Sequence, residues 1–176
     1  KLSVASRLIN AGQSCIAAKR FVVVENVLPE FEKWVVAEMS RRKMGDPLDN
    51  DTEIGPMARC DLRDELQSQV RKTIEAGARC LLGGEPADGP GSFYPPTVLT
   101  DVQKGMLAYS EELFGPVAVI IPARNEKDAI RIANDTNFGL GAAVFTRDLA
   151  KGERIAAFEL QAGNAFVNDY VKSDLR

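Results

Sequence analysis

The cysteine at position 15 has the clearest capacity for covalent chemistry in this chain. It closes the segment 10–15, whose sequence is NAGQSC. Gly12 permits close approach of the backbone and Ser14 leaves room beside the sulfur, which suits a turn that faces a substrate. A thiolate is a strong nucleophile, although a free thiol is mostly protonated at neutral pH unless a base, a metal ion or a helix N-terminus intervenes. On these six residues alone, a small buried hydrophobic residue, the usual role of an unpaired cysteine, is slightly favoured over a nucleophile.

The absence of histidine limits what can activate this thiol. The chain contains no histidine. Cys-His hydrolases, Ser-His-Asp triads and most zinc sites need an imidazole as base or ligand. Composition therefore excludes these classes, and we expect no metal centre.

The other two cysteines are interpreted as structural. Cys60 lies among charged residues near a predicted helix start, and Cys80 lies in a short apolar segment. The three cysteines are well separated and form no CxxC pair. This usage predicts no disulfide framework and a reducing, cytoplasmic compartment.

A second cluster with chemical capacity occupies residues 111–116, whose sequence is EELFGP. A carboxylate such as that of Glu112 can accept two hydrogen bonds from a vicinal diol, for example a ribose. The ring of Phe114 can pack on a flat group. On local pattern alone, solvated acids before a turn are the better interpretation.

Composition sets the class of protein and its partners. The chain has 176 residues, of which 45% are hydrophobic and 27% charged, which is typical of one compact globular domain. A net charge of −3 gives no electrostatic footprint for nucleic acid. No apolar run approaches the length that a bilayer requires, so we expect neither a nucleic-acid partner nor a membrane segment.

Strand-like and helix-like segments alternate along the chain. We predict strands at residues 21–24, 79–82, 117–121, 142–145 and 165–167. We predict helices after Leu28, at 61–76, after Asn125 and at 149–158. A loop rich in glycine and proline covers residues 85–96. This alternation predicts an α/β fold, a three-layer sandwich with a mostly parallel sheet.

The two clusters taken together resemble the catalytic domain of the NAD(P)-dependent aldehyde dehydrogenase superfamily. Between NAGQSC and EELFGP lie KMGDPLD, IGP, GARCLLGG and YPPTVLTDV, followed by ANDTNFGLGAAVFTRDL and GNAFVN, in the order of that family. The resemblance covers essentially the whole chain. The segments KMGDPLD and GPMARCDLRDEL are most similar to the bacterial succinate-semialdehyde dehydrogenase branch.

The resemblance assigns roles to individual residues. It implies that Cys15 is the nucleophile, that Glu112 holds the nicotinamide-ribose hydroxyls and that Phe114 packs beside that ribose. It places the segment 166–173 near the substrate entrance. The implied pocket residues are Ser14, Ile16, Tyr170 and Ser173. Because this family employs a glutamate base, the absence of histidine is compatible with the chemistry.

The resemblance also implies an activity and further protein parts. The activity is oxidation of a small semialdehyde, with NAD or NADP, through a cysteine thiohemiacetal and thioester in a homo-oligomer. We expect the cofactor-binding domain, the glutamate base and an asparagine oxyanion donor to lie upstream of Lys1. A glycine-rich segment and an oligomerisation strand should follow Arg176. Residues 1–176 are therefore expected to form the thiol-bearing catalytic domain, without turnover by themselves.

The chain departs from the family pattern at one position that bears on the substrate, and two alternative functions compete with the enzymatic one. Some succinate-semialdehyde dehydrogenases bind the substrate carboxylate through an arginine just ahead of the cysteine motif, whereas here Leu8 and Ile9 precede the motif and Arg7 is only nearby. The first alternative function is a non-catalytic dimerisation module of the same fold. The second is a cysteine hydrolase, which the lack of histidine disfavours.

Overall fold

The computed structural model describes residues 1–172, which form six α-helices, two short 3₁₀ helices and six strands within that range. The helices are α1 Leu2–Leu8, α2 Leu28–Ser40, α3 Cys60–Glu75, α4 Leu107–Ser110, α5 Glu126–Asn134 and α6 Leu149–Phe158. The strands are β1 Arg20–Val24, β2 Arg79–Leu82, β3 Thr97–Thr100, β4 Val117–Ala123, β5 Ala142–Val144 and β6 Ala165–Val167. Among these residues, no helix is both long enough and apolar enough to cross a membrane.

The main sheet has four strands in the order β1-β4-β3-β2. Strands β1 and β3 run parallel to β4, and β2 runs antiparallel to β3. Strands β5 and β6 form a separate parallel pair. The prediction of a mostly parallel sheet is confirmed, with an antiparallel edge strand and a second small sheet that the pattern did not reveal. The antiparallel direction follows from the connection at 83–96, which contains no crossover helix.

The central strand β4 separates two apolar layers. It is almost entirely buried, as expected of a strand covered on both faces. Alternate residues enter different clusters, because successive side chains point to opposite faces of a sheet. One cluster contains Val117, Val119, Ile121, Leu66 and Val70 of α3, and Ile132 of α5. The other contains Ala118, Ile120, Val4 of α1, and Val35 and Met39 of α2. Helices therefore cover both faces of the sheet, which gives the three predicted layers.

Local signals placed several element boundaries correctly. Helix α6 and strand β6 match the predicted ranges, and β5 ends at Val144, one residue earlier than predicted. Helix α3 ends before Gly77, whose φ of +110° suits the left-handed position after a helix. Asn125 is the N-cap residue directly before α5. Its side-chain oxygen accepts a hydrogen bond from the Asp128 N–H at 3.1 Å.

Candidate active site

Cys15 lies in an exposed turn between α1 and β1. The Ala17 N–H donates to the Ser14 carbonyl at 3.0 Å, so Cys15 and Ile16 occupy the centre of this turn. The Cys15 side chain is exposed and its thiol is free, while Ser14 and Ile16 are half-buried. The alternative of a small buried hydrophobic residue therefore does not hold for Cys15. Exposure at a tight turn is the setting in which a thiol can meet a substrate.

Three consecutive residues before this turn have left-handed backbone conformations. The φ angles are 50° at Asn10, 53° at Ala11 and 76° at Gly12. Non-glycine residues rarely adopt this region, at a cost of roughly 1–3 kcal/mol each, and such strain clusters at functional sites. Two hydrogen bonds join the ends of the segment 10–13. The Gln13 N–H donates to the Asn10 carbonyl at 3.0 Å, and the Asn10 side-chain amide donates to the Gln13 carbonyl at 3.1 Å. The backbone here is strained and locally reinforced.

Gly12 brings the cysteine turn into contact with the segment 111–116. A Cβ atom at Gly12 would overlap the carbonyl carbon and oxygen of Gly115. The sequence indicated that Gly12 permits close approach of the backbone, and the structure shows such an approach, to the backbone of the EELFGP segment. Two clusters far apart in sequence thus meet at one place in the fold.

Gln13 anchors the same turn to a loop on its other side. Its side-chain oxygen accepts a hydrogen bond from the Ala58 N–H at 2.8 Å, and its amide lies 3.5 Å from the Pro56 carbonyl. A cleft opens between Asn10 and Ala11 on one side and the 53–58 loop on the other. The turn that carries Cys15 is consequently held between two loops rather than left free in solvent.

Arg7 lies beneath the turn and is almost completely buried, with 2% of its surface exposed. Its guanidinium donates to the Gly12 carbonyl at 2.6 Å and to the Ala18 carbonyl at 2.9 Å. Burial lowers the pKa of Arg7 to about 10, and the charge of Glu112 acts in the opposite direction. A guanidinium engaged with backbone carbonyls and excluded from solvent is not placed to receive a substrate carboxylate.

Glu112 and Phe114 stand beside the cysteine turn with groups that a ligand can reach. Glu112 is half-buried, and within residues 1–172 its carboxylate accepts no hydrogen bond; only its backbone carbonyl does, from Gln69. The residue Phe114 is 43% exposed. A carboxylate with its lone pairs free and an exposed aromatic face two residues away fit the vicinal hydroxyls and flat surface of a nucleoside.

Lys19 is a charged residue of this region that sequence reasoning missed. Its Nζ is buried without a hydrogen-bond partner among the described residues and lies 3.2 Å from the centroid of the Phe138 ring. Burial lowers the pKa of Lys19 to about 8, while the carboxylates of Glu112 and Glu111 act against that shift. A lysine directly before a half-buried strand was the available signal, but its aromatic partner lies far along the chain.

The lowered pKa of Lys19 gives a pH dependence with a defined sign. Folded Lys19 loses its proton near pH 8, whereas the unfolded chain keeps it to about 10.5. The unfolded state therefore binds more protons in this window, so the free energy of unfolding should gain a stabilising contribution as pH rises from 8 to 10.5. Nitrogen-15 NMR of the lysine amino groups should show one midpoint near 8.

The variant Lys19→Met supplies the control for this titration. It should remove the resonance with the low midpoint, and it should remove the corresponding gain in stability between pH 8 and 10.5. Lys151 is a useful internal reference, because its ion pair with Glu126 raises its pKa. A Lys19 midpoint above 10 would contradict the burial of its amino group.

The remaining predicted pocket residues lie toward the end of the chain. Tyr170 is half-buried after β6, and the Lys172 amino group lies 4.9 Å from its ring centroid. Ser173 lies outside the described residues. Phe166 is half-buried in β6, and Asn168 has a φ of 54° at the end of that strand. The pocket roles of Ser14, Ile16, Tyr170 and Ser173 stay predictions.

Cys60 and Cys80 lack the surroundings of Cys15. Cys60 is the first residue of α3 and is exposed. Cys80, which lies in strand β2 as predicted, is also an exposed residue. Partial burial of its thiol raises the pKa of Cys80, and the sulfur lies 3.3 Å from the Leu82 carbonyl. A thiol held in its protonated form is a poor nucleophile.

Comparison with known proteins connects this geometry to one family. The protein-family model described as "Aldehyde dehydrogenase family" matches residues 1–176. The chain is 49% identical over 176 residues to the succinate semialdehyde dehydrogenase [NAD(P)+] Sad of Escherichia coli (strain K12), covering 100% of this chain and 38% of that protein. It is 47% identical over 168 residues to the succinate-semialdehyde dehydrogenase [NADP(+)] of Mycobacterium avium (strain 104), covering 96% and 35%.

Solved structures give the same result at the level of the fold. Succinic semialdehyde dehydrogenase from Streptococcus pyogenes, in complex with NADP+, matches with a TM-score of 0.94 and 33% identity, covering 98% of this chain and 38% of that one. Betaine aldehyde dehydrogenase from Staphylococcus aureus, in complex with NAD+, matches with a TM-score of 0.92 and 32% identity, covering 98% and 35%. The predicted fold class is confirmed. The chain spans less than two fifths of the length of these relatives.

Proposed function

Because this chain belongs to the aldehyde dehydrogenase family, we propose that it forms the catalytic domain of an NAD(P)-dependent enzyme that oxidises succinate semialdehyde to the acid. One observation carries the proposal: an exposed cysteine directly follows a strained segment whose Gly12 abuts Gly115, and Gly115 belongs to the same segment as the free carboxylate of Glu112. The substrate follows from the two curated relatives, both of which are succinate-semialdehyde dehydrogenases.

Cys15 would begin the reaction as a nucleophile. Its thiolate attacks the aldehyde carbon, a carbon–sulfur bond forms, and the carbonyl electron pair moves to oxygen to give a thiohemiacetal oxyanion on Cys15. Within residues 1–172, the Cys15 N–H donates to no protein acceptor. It is therefore available to donate to that oxyanion, the role in which preorganised donors contribute most to catalysis.

Glu112 and Phe114 would hold the nicotinamide end of the cofactor. The Glu112 carboxylate would accept hydrogen bonds from the two ribose hydroxyls, and the ring of Phe114, a residue that is exposed in this structure, would pack beside the sugar. When bound, the nicotinamide supplies the acceptor for the hydride that leaves the substrate carbon. Cys15 then carries the acyl group as a thioester until an activated water releases the carboxylic acid.

Residues 1–176 would supply the thiol and the ribose-binding carboxylate, but not every part of the machinery. We propose that the cofactor-binding domain, the general base and the oligomerisation segment correspond to the regions of the relatives that this chain does not span. Under this proposal the chain contributes half of an interdomain site. Its activity must then be measured with the other half present.

A chimera with the E. coli relative tests the function directly. Residues 1–176 would replace the matching segment of that enzyme, which aligns over the whole chain at 49% identity. We expect the purified chimera to oxidise succinate semialdehyde with reduction of NAD or NADP, measured by absorbance of the reduced nicotinamide. A chimera that folds and binds cofactor but oxidises no small aldehyde would contradict the proposal.

Glu112→Gln in the chimera separates cofactor binding from the thiol chemistry. Losing a charged acceptor for the ribose hydroxyls should raise the KM for the cofactor about tenfold. Because Glu112 does not hydrogen-bond the cysteine turn, alkylation of Cys15 by iodoacetamide should be unchanged. The matched control is Glu111→Gln, since Glu111 already accepts a hydrogen bond from Gln69 at 3.2 Å.

A further inference from the structure

The guanidinium of Arg7 joins the two ends of the turn that carries Cys15. One nitrogen donates to the Gly12 carbonyl, three residues before the cysteine, and another donates to the Ala18 carbonyl, three residues after it. The Ala18 N–H donates in turn to the Ser6 carbonyl at 3.3 Å. Because the guanidinium is planar and rigid, these bonds fix the relative positions of the two carbonyls.

The conformation of this turn requires such support. The residues at 10–12 are all left-handed, and strained backbone persists only where surrounding contacts over-determine it. The Arg7 bond at 2.6 Å sets the direction of the Gly12 carbonyl, the last of these three residues. Without this bond, the Gly12 carbonyl loses the donor that fixes its direction, and we expect the peptide bond between Gly12 and Gln13 to reorient within the limits set by Gly115 and the Gln13–Ala58 hydrogen bond.

The burial of Arg7 is difficult to explain by stability alone. Its Nε is buried without a hydrogen-bond partner, and within residues 1–172 no carboxylate forms a salt bridge with it. Burying an unpaired charge is unfavourable, and apolar side chains of similar volume often replace buried ionic groups without loss of stability. The observed hydrogen-bond partners of this cation are the carbonyls of Gly12 and Ala18, one on each side of Cys15.

We propose that Arg7 is a positioning residue that holds the Cys15 turn in its reactive geometry. This inference rests on the proposed function, in which Cys15 is the nucleophile. Arg7 itself touches neither substrate nor cofactor in this account. It acts through the Gly12 and Ala18 carbonyls, whose placement sets the directions of the Cys15 thiol and N–H.

Hydrogen exchange of the 176-residue chain tests whether Arg7 holds the turn. In Arg7→Met, amides in the segment 8–19 should exchange about tenfold faster, while amides of β4 keep their rates, because only the hydrogen bonds from Arg7 to the Gly12 and Ala18 carbonyls are lost. Arg7→Lys should give an intermediate rate, since a single ammonium cannot hold both carbonyls in the same planar arrangement. This second variant keeps the test valid if Arg7→Met does not fold.

Arg20→Met is the matched control. Arg20 also donates from its guanidinium to backbone carbonyls, at 3.1 Å to Ile132, 3.0 Å to Ala133 and 3.2 Å to Asp135, but these belong to the end of α5. Arg20→Met should therefore lower the melting temperature without changing exchange in 8–19. Equal exchange of that segment in the Arg7 and Arg20 variants would overturn the proposal.

Turnover in the chimera tests whether the hydrogen bonds of Arg7 contribute to catalysis. Arg7→Met should lower kcat about 10²-fold, the effect of misplacing a reacting group by about 1 Å, with less than about a threefold change in the cofactor KM. Arg7→Lys should recover part of the kcat. Faster exchange in 8–19 combined with a kcat equal to that of Arg20→Met would overturn the positioning role. An inactive unsubstituted chimera would instead contradict the proposed function. The proposal that Arg7 positions Cys15 for catalysis would then be contradicted as well.

Discussion

Replacing Cys15 with serine in the chimera is expected to lower aldehyde oxidation by about 10⁴-fold or more, the scale of losses when an enzyme loses its nucleophile. The hydroxyl is a far weaker nucleophile than the thiolate, and no histidine exists in this chain to activate it. Cys15 is exposed, so the substitution should leave the melting temperature nearly unchanged. Steady-state rates with saturating cofactor and a thermal melt provide the two measurements.

Cys60→Ser and Cys80→Ser are the controls for this prediction. Both residues are exposed, as Cys15 is, but neither directly follows a left-handed segment that packs against residues 111–116. Each variant should retain turnover within about twofold, because surface substitutions rarely exceed 0.5 kcal/mol in their effects on the fold. Full activity of Cys15→Ser would favour the alternative of a non-catalytic dimerisation module of the same fold.

Local sequence pattern was sufficient for most elements and insufficient for strand direction. Helix α6 and strand β6 follow from capping and periodicity, which act within a few residues. Strands β2 and β3 depend on each other: β3 is only four residues long and gains its stability by lying between β2 and β4. Such pairing is long-range. Local sequence therefore predicts neither the existence of β3 nor the antiparallel direction of β2.

The site shows the same division between local and long-range information. The sequence identified Cys15, Glu112 and Phe114 as groups with chemical capacity, and it indicated that Gly12 permits close approach. It did not indicate that Gly115 is the neighbour. Lys19 was missed, and Arg7 was noted only for its position, for one physical reason. A buried cation is recognisable only by its partners, which here are backbone carbonyls and an aromatic ring brought together by folding.

Gly12→Ala should have the largest effect on stability among the substitutions considered. The added Cβ would overlap the Gly115 carbonyl and lie 2.8 Å from the Arg7 guanidinium. The first is backbone and the second is buried, so neither can move aside as the end of a flexible side chain would. Overpacking and left-handed strain each cost roughly 1–3 kcal/mol. We expect a loss of about 3 kcal/mol, measured by urea denaturation of the 176-residue chain.

Two glycine variants divide this loss into its causes. Gly105→Ala carries the left-handed cost alone, because its φ is +98° and no atom lies within 4 Å of the new Cβ. Gly139→Ala carries neither left-handed strain nor overlap, since its nearest neighbour is the Gln161 carbonyl oxygen at 3.4 Å. The expected order of stability is Gly139→Ala, then Gly105→Ala, then Gly12→Ala.

The difference between Gly12→Ala and Gly105→Ala measures how firmly the cysteine turn is pressed against the 111–116 segment. A difference of about 2 kcal/mol would follow from the overlap with Gly115, since the overpacked turn can relax only by separating from that backbone. Such separation carries Cys15 away from Glu112, so the chimera with Gly12→Ala should also lose turnover. Equal stability of the two variants would mean that the turn can move away from Gly115 without loss of stability. The reactivity of Cys15 could then not depend on the geometry described for this turn.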